Sequence, residues 1–256
     1  MRIEILGSGG AISTPRPLCQ CRVCSLARQR GVPYSRGGPS LFVHGPNALF
    51  DTPEDIKTLL SRSTVGVIAA GFYSHWHPDH VMGRRVWEEL NQDWRHWPPQ
   101  HQRTSVFVPE RVARDFRKYL ATWDHLALFA KRGIIDLVEL PDGESVTLGK
   151  TSIRPFRLHE DYVYGFVLEE DGTRVLLVLD ELHGWEPSGV LTGLDLAVLP
   201  MGIAEFDPFT GERRIPADHP TLKSEATFRD TLAVVRRLSP GRTVLTHVEE
   251  PDGVSY

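Results

Sequence analysis

The sequence is poor in cysteine, has no long apolar run and carries little net charge over its 256 residues. Its three cysteines all lie between positions 19 and 24, and such an odd, clustered set argues against a secreted disulfide framework. No apolar run approaches the roughly 18 residues that a membrane helix needs, and the opening MRIEILGSGG favours a strand and turn over a leader peptide. We therefore expect a protein of a reducing, cytoplasmic compartment with no membrane partner.

The charge and composition exclude further classes. A net charge of -4 gives no support for a protein that coats nucleic acid, so a nucleic-acid partner is not expected. With 41% hydrophobic and 24% charged residues, the composition is that of an ordinary globular protein and excludes long disorder. Since no repeat or linker divides the chain, we expect a single domain over residues 1–256, with a polar, proline-containing surface insert near 91–104.

Short apolar runs bounded by turn residues predict many strands, and the Asp171-Gly172 turn predicts a hairpin. Gly7, Gly9 and Gly10 indicate a tight turn after the first strand, because no Lys-Ser/Thr follows as a phosphate loop requires. Many strands with interspersed helices fit two sheets covered outside by helices. The predicted strands lie at 2–6, 40–43, 48–51, 65–73, 105–108, 134–140, 145–148, 151–156, 164–170, 174–180, 194–200 and 242–247. The predicted helices lie at 53–62, 79–92, 109–131 and 220–238.

Metal-binding residue types crowd into the segment SHWHPDH (74–80), directly after the predicted strand at 65–73. Alternation in an extended chain puts His75 and His77 on one face, so these two imidazoles can share a metal. Asp79 and His80 begin the next helix and can face a second metal nearby. Three imidazoles and a carboxylate at this spacing are the composition of a metal site rather than of a solvated loop.

This HxHxDH segment resembles the signature of the metallo-β-lactamase superfamily. The resemblance implies an α+β fold, an αββα sandwich of two mixed β-sheets flanked by helices, with metals at one rim of the sheets. It implies that one ion is held by His75, His77 and His159, and the other by Asp79, His80 and His247. Two aspartates complete the implied site: Asp180 bridges both ions, and Asp51 braces the metal loop without binding a metal.

The implied chemistry is hydrolysis by two divalent ions, which lower the pKa of bound water and clamp the oxygens of an in-line displacement. Zinc or manganese suits such ligands, and iron or nickel also fits. Two ions, two carboxylates and a bridging hydroxide leave about one positive charge, which suits an anionic substrate. The ligand set fits phosphodiester hydrolysis well and is also compatible with thioester or amide hydrolysis. Asp79 and Asp180 are the candidate catalytic ligands; His183 is either a proton donor to the leaving group or a surface histidine.

The segment CQCRVC (19–24) carries all three cysteines and has three interpretations: a redox pair, inert buried thiols, or a zinc site. Following an LGSGGA-type turn, it resembles the phosphoribosyl cyclic phosphate phosphodiesterase-like group of the carbon–phosphorus lyase pathway. That resemblance implies a structural zinc loop near 19–24, with Cys19, Cys21, Cys24 and His219 as the four ligands of one zinc ion.

The leading hypothesis is thus a metal-dependent hydrolase acting on a small or cyclic phosphodiester. One alternative is an enzyme like the tRNA 3′-processing endonucleases, although the sequence has no Gly- and Pro-rich basic arm to grip tRNA. Another is a non-hydrolytic accessory protein of cofactor biosynthesis that keeps only a structural zinc. A homodimer is compatible with the sequence, which does not indicate an oligomeric state.

Overall fold

The computed structural model describes residues 1–100, 103–207 and 209–256, which form two six-stranded sheets. In the first sheet β1 to β6 lie side by side in chain order; β1–β3 are antiparallel neighbours, and β3–β6 run parallel. These strands are β1 (Arg2–Gly7), β2 (Ser40–His44), β3 (Ala48–Phe50), β4 (Ala70–Phe72), β5 (Thr104–Pro109) and β6 (Ile135–Leu140).

The second sheet has the order β12-β11-β10-β9-β8-β7. From β7 to β10 each strand pairs antiparallel with the next strand in the chain. Strands β10, β11 and β12 run parallel to one another. Its strands are β7 (Val146–Leu148), β8 (Thr151–Arg157), β9 (Tyr164–Glu170), β10 (Thr173–Leu177), β11 (Leu196–Pro200) and β12 (Arg242–Thr246). Both sheets are mixed, and the predicted hairpin joins β9 to β10.

The helices are short, and none that the structure describes has the length and apolar content needed to cross a membrane. They are α1 (Arg22–Arg30), α2 (Ile56–Ser61), α3 (Pro78–Val81), α4 (Val86–Asn91), α5 (Glu110–Lys118), α6 (Thr122–Lys131) and α7 (Phe228–Leu238). Three 3-10 turns cover Met82–Arg85, Pro220–Lys223 and Glu250–Asp252. Thr227 and Asp230 form a capping box that starts α7, each bonding the other's backbone N–H.

Side-chain alternation builds three apolar layers. Leu41 and Val43 of β2 face the second sheet, while Phe42 between them faces the helices on the outside of the first sheet. On β10, Val175 and Leu177 point inward in the same way. A middle core therefore joins the sheets, and each outer face is covered by helices. The predicted α+β sandwich of two mixed sheets is confirmed.

Several predicted boundaries were wrong. The helix predicted at 109–131 is two helices, because Leu120 and Ala121 adopt left-handed backbone angles of +57° and +47° that end α5. Helix α1 was not predicted, since only three of its side chains are buried and its apolar pattern is weak. The strand predicted at 65–73 shrinks to β4. Within the predicted insert, His101 and Gln102 lie outside the described residues, as does Pro208.

Candidate metal centre

Six of the candidate metal ligands gather at one rim, because the segments that carry them follow the carboxyl ends of strands with a parallel neighbour. Asp51 comes directly after β3, and the SHWHPDH segment begins just after β4. From the other sheet, Asp180 follows β10 and His247 follows β12. The two sheets therefore contribute to the same rim from opposite sides.

Among the described residues, six predicted ligands form two groups. His75, His77 and Asp180 offer ligand atoms within 4.8 Å of one another, and Asp79, His80 and His247 do the same. Asp180 lies between the groups: its Oδ2 is 3.2 Å from His75 Nε2, and its Oδ1 is 3.3 Å from His247 Nε2. Its Oδ2 also lies 3.7 Å from His80 Nε2, so the one carboxylate reaches both groups, as a bridging ligand must.

The imidazoles present nitrogens that the protein itself does not satisfy. The Nε2 atoms of His75, His80 and His247 are buried and have no hydrogen-bond partner among the described residues. A buried polar atom without a partner costs free energy, so such atoms are rare unless a ligand completes them. Imidazole nitrogens with carboxylate oxygens are a donor set for Zn²⁺, Mn²⁺ or a similar ion. The residues present therefore fit two divalent metals.

Asp51 orients the metal-binding segment without facing either group directly. Its Oδ2 lies 2.7 Å from His80 Nδ1 and accepts the Ser74 hydroxyl at 2.6 Å, while its Oδ1 accepts the Ser74 N–H at 2.8 Å. A carboxylate on Nδ1 favours the tautomer that leaves Nε2 free for a metal. Asp51 and His247 both have positive φ angles, +58° and +53°, uncommon for residues with side chains and frequent at functional sites.

The charges of the site are strongly coupled. Burial alone would raise the pKa of both aspartates. The nearby His80 instead holds the pKa of Asp79 well below its usual range, and His247 does the same for Asp180. Burial would lower the pKa of His247, but Asp180 outweighs it and raises the pKa to about 9. Burial together with His75 lowers the pKa of His77 to about 4, so this imidazole is neutral and ready to bind a metal.

Two predicted residues lie elsewhere. His159 belongs to neither metal group; it is exposed, and a Cβ built on Gly184 would be 2.7 Å from its ring. Its assignment as a metal ligand therefore rests on the resemblance alone. His183 does not line the cavity over the metal groups, and its backbone N–H donates to the Glu181 carboxylate.

That cavity of about 370 Å³ is lined by residues that the sequence interpretation missed. Tyr162 stands beside His77, with ring centroids 5.7 Å apart. Glu181 and Glu225 face the cavity together, and burial and the neighbouring Glu181 carboxylate raise the pKa of Glu225 to about 8. The available signal was an acidic residue directly after a predicted ligand, as in Asp180-Glu181. The other lining carboxylates outside the metal groups are Glu160, Glu249 and Asp252.

The cysteine segment forms a separate cluster with a different fourth member. Cys19, Cys21 and Cys24 are free thiols, and the Glu250 carboxylate joins them within 4.8 Å. The structure does not bring His219 to this cluster: it is exposed, and its Nδ1 accepts the Thr221 N–H at 3.2 Å. Glu250 follows His247 by only three residues, so one short segment serves both sites. Glu250 therefore takes the position at the cysteines that the resemblance implied for His219.

Solved structures share this fold over almost the whole chain. A diphosphatase from the PhnP family superposes with a TM-score of 0.69 at 20% identity, covering 97% of this chain and 86% of that one. Zn²⁺-bound PqqB from Methylobacterium extorquens gives 0.69 at 17% identity, covering 98% and 89%. The short form of human tRNase Z gives 0.63 at 19% identity, covering 96% and 92%. At these identities the likeness shows the fold.

A search of curated proteins found no match. The family model described as Beta-lactamase superfamily domain matches residues 46–248. That span is most of the chain and includes both metal groups, from His75 to His247. The predicted family is thus confirmed, and the chain belongs to the metallo-β-lactamase superfamily of metal-dependent hydrolases.

Proposed function

We propose that this chain is a phosphodiesterase that hydrolyses a small or cyclic phosphodiester at a centre of two divalent metals. The observation that carries the proposal is the position of Asp180, whose carboxylate lies within 3.7 Å of histidine nitrogens from both His/Asp groups. Two ions held by these groups would suit displacement at phosphorus, because both the attacking and the leaving oxygen need stabilisation.

When bound, the metals would supply an activated water and polarise the phosphoryl group. The chain's own residues do the rest. His75, His77, His80 and His247 hold the centre, and Asp51 fixes the orientation of His80.

Tyr162 is placed to bind substrate at the cavity wall. Burial and the nearby Glu160 raise the pKa of Tyr162 to about 12, so its phenol stays protonated. It can donate a hydrogen bond to a phosphoryl oxygen.

The alternatives receive less support. A tRNA-processing enzyme must attract a polyanion, yet no lysine or arginine is among the described residues that line the cavity. An accessory protein with only a structural zinc would not require the six residues of the two metal groups. We therefore retain the phosphodiesterase as the leading function.

The test is a phosphodiesterase panel run with metal analysis of the same sample. Wild-type protein should hydrolyse at least one of bis-p-nitrophenyl phosphate, cyclic nucleotides and ribose cyclic phosphates. Asp180→Asn should lower kcat more than tenfold, which corresponds to at least about 1.4 kcal/mol. His183→Gln is the matched control and should keep its activity, because His183 does not line the cavity. Metal-loaded protein that cleaves no diester contradicts the proposal.

We also propose that Cys19, Cys21, Cys24 and Glu250 hold one structural zinc. Three thiolates and a carboxylate complete a closed tetrahedral set, and binding at such a site stabilises the folded chain. Glu250→Ala should lower the zinc retained under a chelator, whereas His219→Ala should not. Zinc loss in His219→Ala but not in Glu250→Ala would instead show that His219 is the fourth ligand. A thiolate zinc site of this kind would also fit a reducing, cytoplasmic compartment.

A further inference from the structure

A second cavity lies on the outer face of the second sheet. Ile153 of β8 points into the middle core, so its neighbour Arg154 lies on the outer face, where residues 184–191 form the opposite wall of the cavity. The volume is about 680 Å³, within the range of pockets that hold small molecules. The lining includes Arg154, Phe156, Arg157, Trp185, Glu186 and Leu191. No described residue lines both this cavity, which we call the arginine cleft, and the cavity over the metal groups.

The arginine cleft carries a positive charge that the described residues do not neutralise. Arg154 is partly buried, yet no described residue forms an ion pair with its guanidinium or accepts a hydrogen bond from it. Arg157 differs, because it pairs with Asp142. The only carboxylate in the described lining, Glu186, pairs with Arg237 at 3.2 Å. Arg154 is therefore free to bind an anion from the cleft.

A buried indole N–H in the same cleft also lacks a partner. Trp185 is only 9% exposed, but no described residue accepts a hydrogen bond from its Nε1. Buried tryptophans usually find an acceptor, as Trp87 does in the Tyr73 hydroxyl at 2.9 Å. The Nε1 of Trp185 is not one of the fully enclosed atoms without a partner, so it is open to the cleft that this side chain lines. A ligand in the cleft can supply the missing acceptor.

The rest of the lining is largely apolar and held in place. Phe156 lies against Trp185, with ring centroids 6.0 Å apart and ring planes inclined by 31°. Leu191 is buried at the far wall, and Arg174 fixes that wall by donating to the Val190 carbonyl at 3.2 Å. A preformed apolar cleft accepts a flat ring without much loss of conformational entropy.

We propose that the arginine cleft binds a mononucleotide, with its phosphate at Arg154 and the Trp185 N–H and its base against Phe156. A phosphate suits these donors better than a carboxylate, because the guanidinium fork occupies two oxygens and the indole N–H needs a third. A base suits the aromatic wall, since any nucleobase has a flat face that can stack on a ring. The site lies outside the metal centre, so it goes beyond the proposed hydrolysis and does not depend on it.

Calorimetry on metal-loaded protein tests the site with the monophosphates of adenosine, guanosine, cytidine and uridine, beside the four nucleosides and inorganic phosphate. We expect at least one monophosphate to bind about tenfold or more tightly than its nucleoside and than phosphate. Arg154→Gln should weaken that binding by about tenfold, because the charged donor is lost. Trp185→Phe should weaken it as well, since the ring stays and the N–H is lost. Arg242→Gln removes an exposed arginine outside the cleft and should bind as wild type does.

Asp180→Asn separates this site from the metal centre. It should keep nucleotide binding, whereas Arg154→Gln should keep wild-type diester hydrolysis, because the two residues line different cavities. Loss of binding in Asp180→Asn but not in Arg154→Gln would place the nucleotide at the metals and overturn the proposal. Wild-type affinity in Arg154→Gln, or no binding of any monophosphate, would overturn it too. Arg154→Gln decides the question even where Trp185→Phe fails to fold.

Discussion

At Gly10 the backbone lies against the His247 ring, and a Cβ there would come within 2.3 Å of it. The glycine turn that ends β1 therefore makes room for a metal ligand rather than for a phosphate. Gly10→Ala should displace His247 and lower the affinity of the Asp79/His80/His247 group for its metal by at least tenfold. Metal content after dialysis against a chelator measures this.

Gly66 provides the matched control for Gly10. A Cβ on Gly66 meets nothing within 4 Å, so Gly66→Ala should keep wild-type metal content. If Gly10→Ala also retained its metals, the close contact with His247 would have no functional consequence.

The raised pKa of His247 predicts how metal binding depends on pH. Its pKa is about 9 in the folded, metal-free protein and about 6.5 in an unfolded chain. The imidazolium therefore stabilises the metal-free fold fully below about pH 6.5, and this contribution is lost as the pH rises through 9. A metal must displace that proton, so affinity should rise with pH up to about 9.

Calorimetry at pH 7.5 in two buffers of different ionisation enthalpy would detect the proton that metal binding releases. His247→Gln, titrated in parallel, should release fewer protons. Binding that is independent of pH between 6.5 and 9 would contradict this protonation state.

At the scale of elements, strands were easier to predict than helices. Successive side chains of a strand point to opposite faces of its sheet, as Leu41, Phe42 and Val43 do. That period of two is visible in the sequence. The break between α5 and α6 is not visible, because Leu120 and Ala121 carry ordinary helix-forming side chains. Packing of both helices against the first sheet imposes the left-handed angles.

That break predicts opposite effects for two similar substitutions. Ala121 has a φ of +47°, which glycine adopts without strain, so Ala121→Gly should be neutral or stabilising by up to about 1 kcal/mol. Ala127 lies inside α6, where Ala127→Gly should destabilise by about 1 kcal/mol. Urea denaturation of both variants measures the difference. Equal destabilisation would indicate one continuous helix over 109–131.

For the whole molecule, the sequence predicted the sandwich and the family, and it named six residues that the structure brings together in the two candidate metal groups. These depended on local patterns and on an ordered series of residues from Asp51 to His247. The position of Glu250 at the cysteines and that of Glu225 in the cavity could not be predicted. Each depends on contacts between segments about 230 and 45 residues apart, respectively. The single-domain organisation and a homodimer remain predictions.

The metal centre also predicts a global property, because its ligands join the two sheets. His75 and His80 belong to the first sheet, and Asp180 and His247 to the second, so bound metals would cross-link the rim. A ligand that binds only the native state, at a thousand times its Kd, stabilises by about 4.1 kcal/mol. For a chain of this size, each kcal/mol raises Tm by about 2–4 °C. Adding metal to stripped protein should therefore raise Tm by roughly 8–16 °C. Asp180→Ala should lose most of that increase, and a wild-type Tm unaffected by metal would show that the rim is not cross-linked.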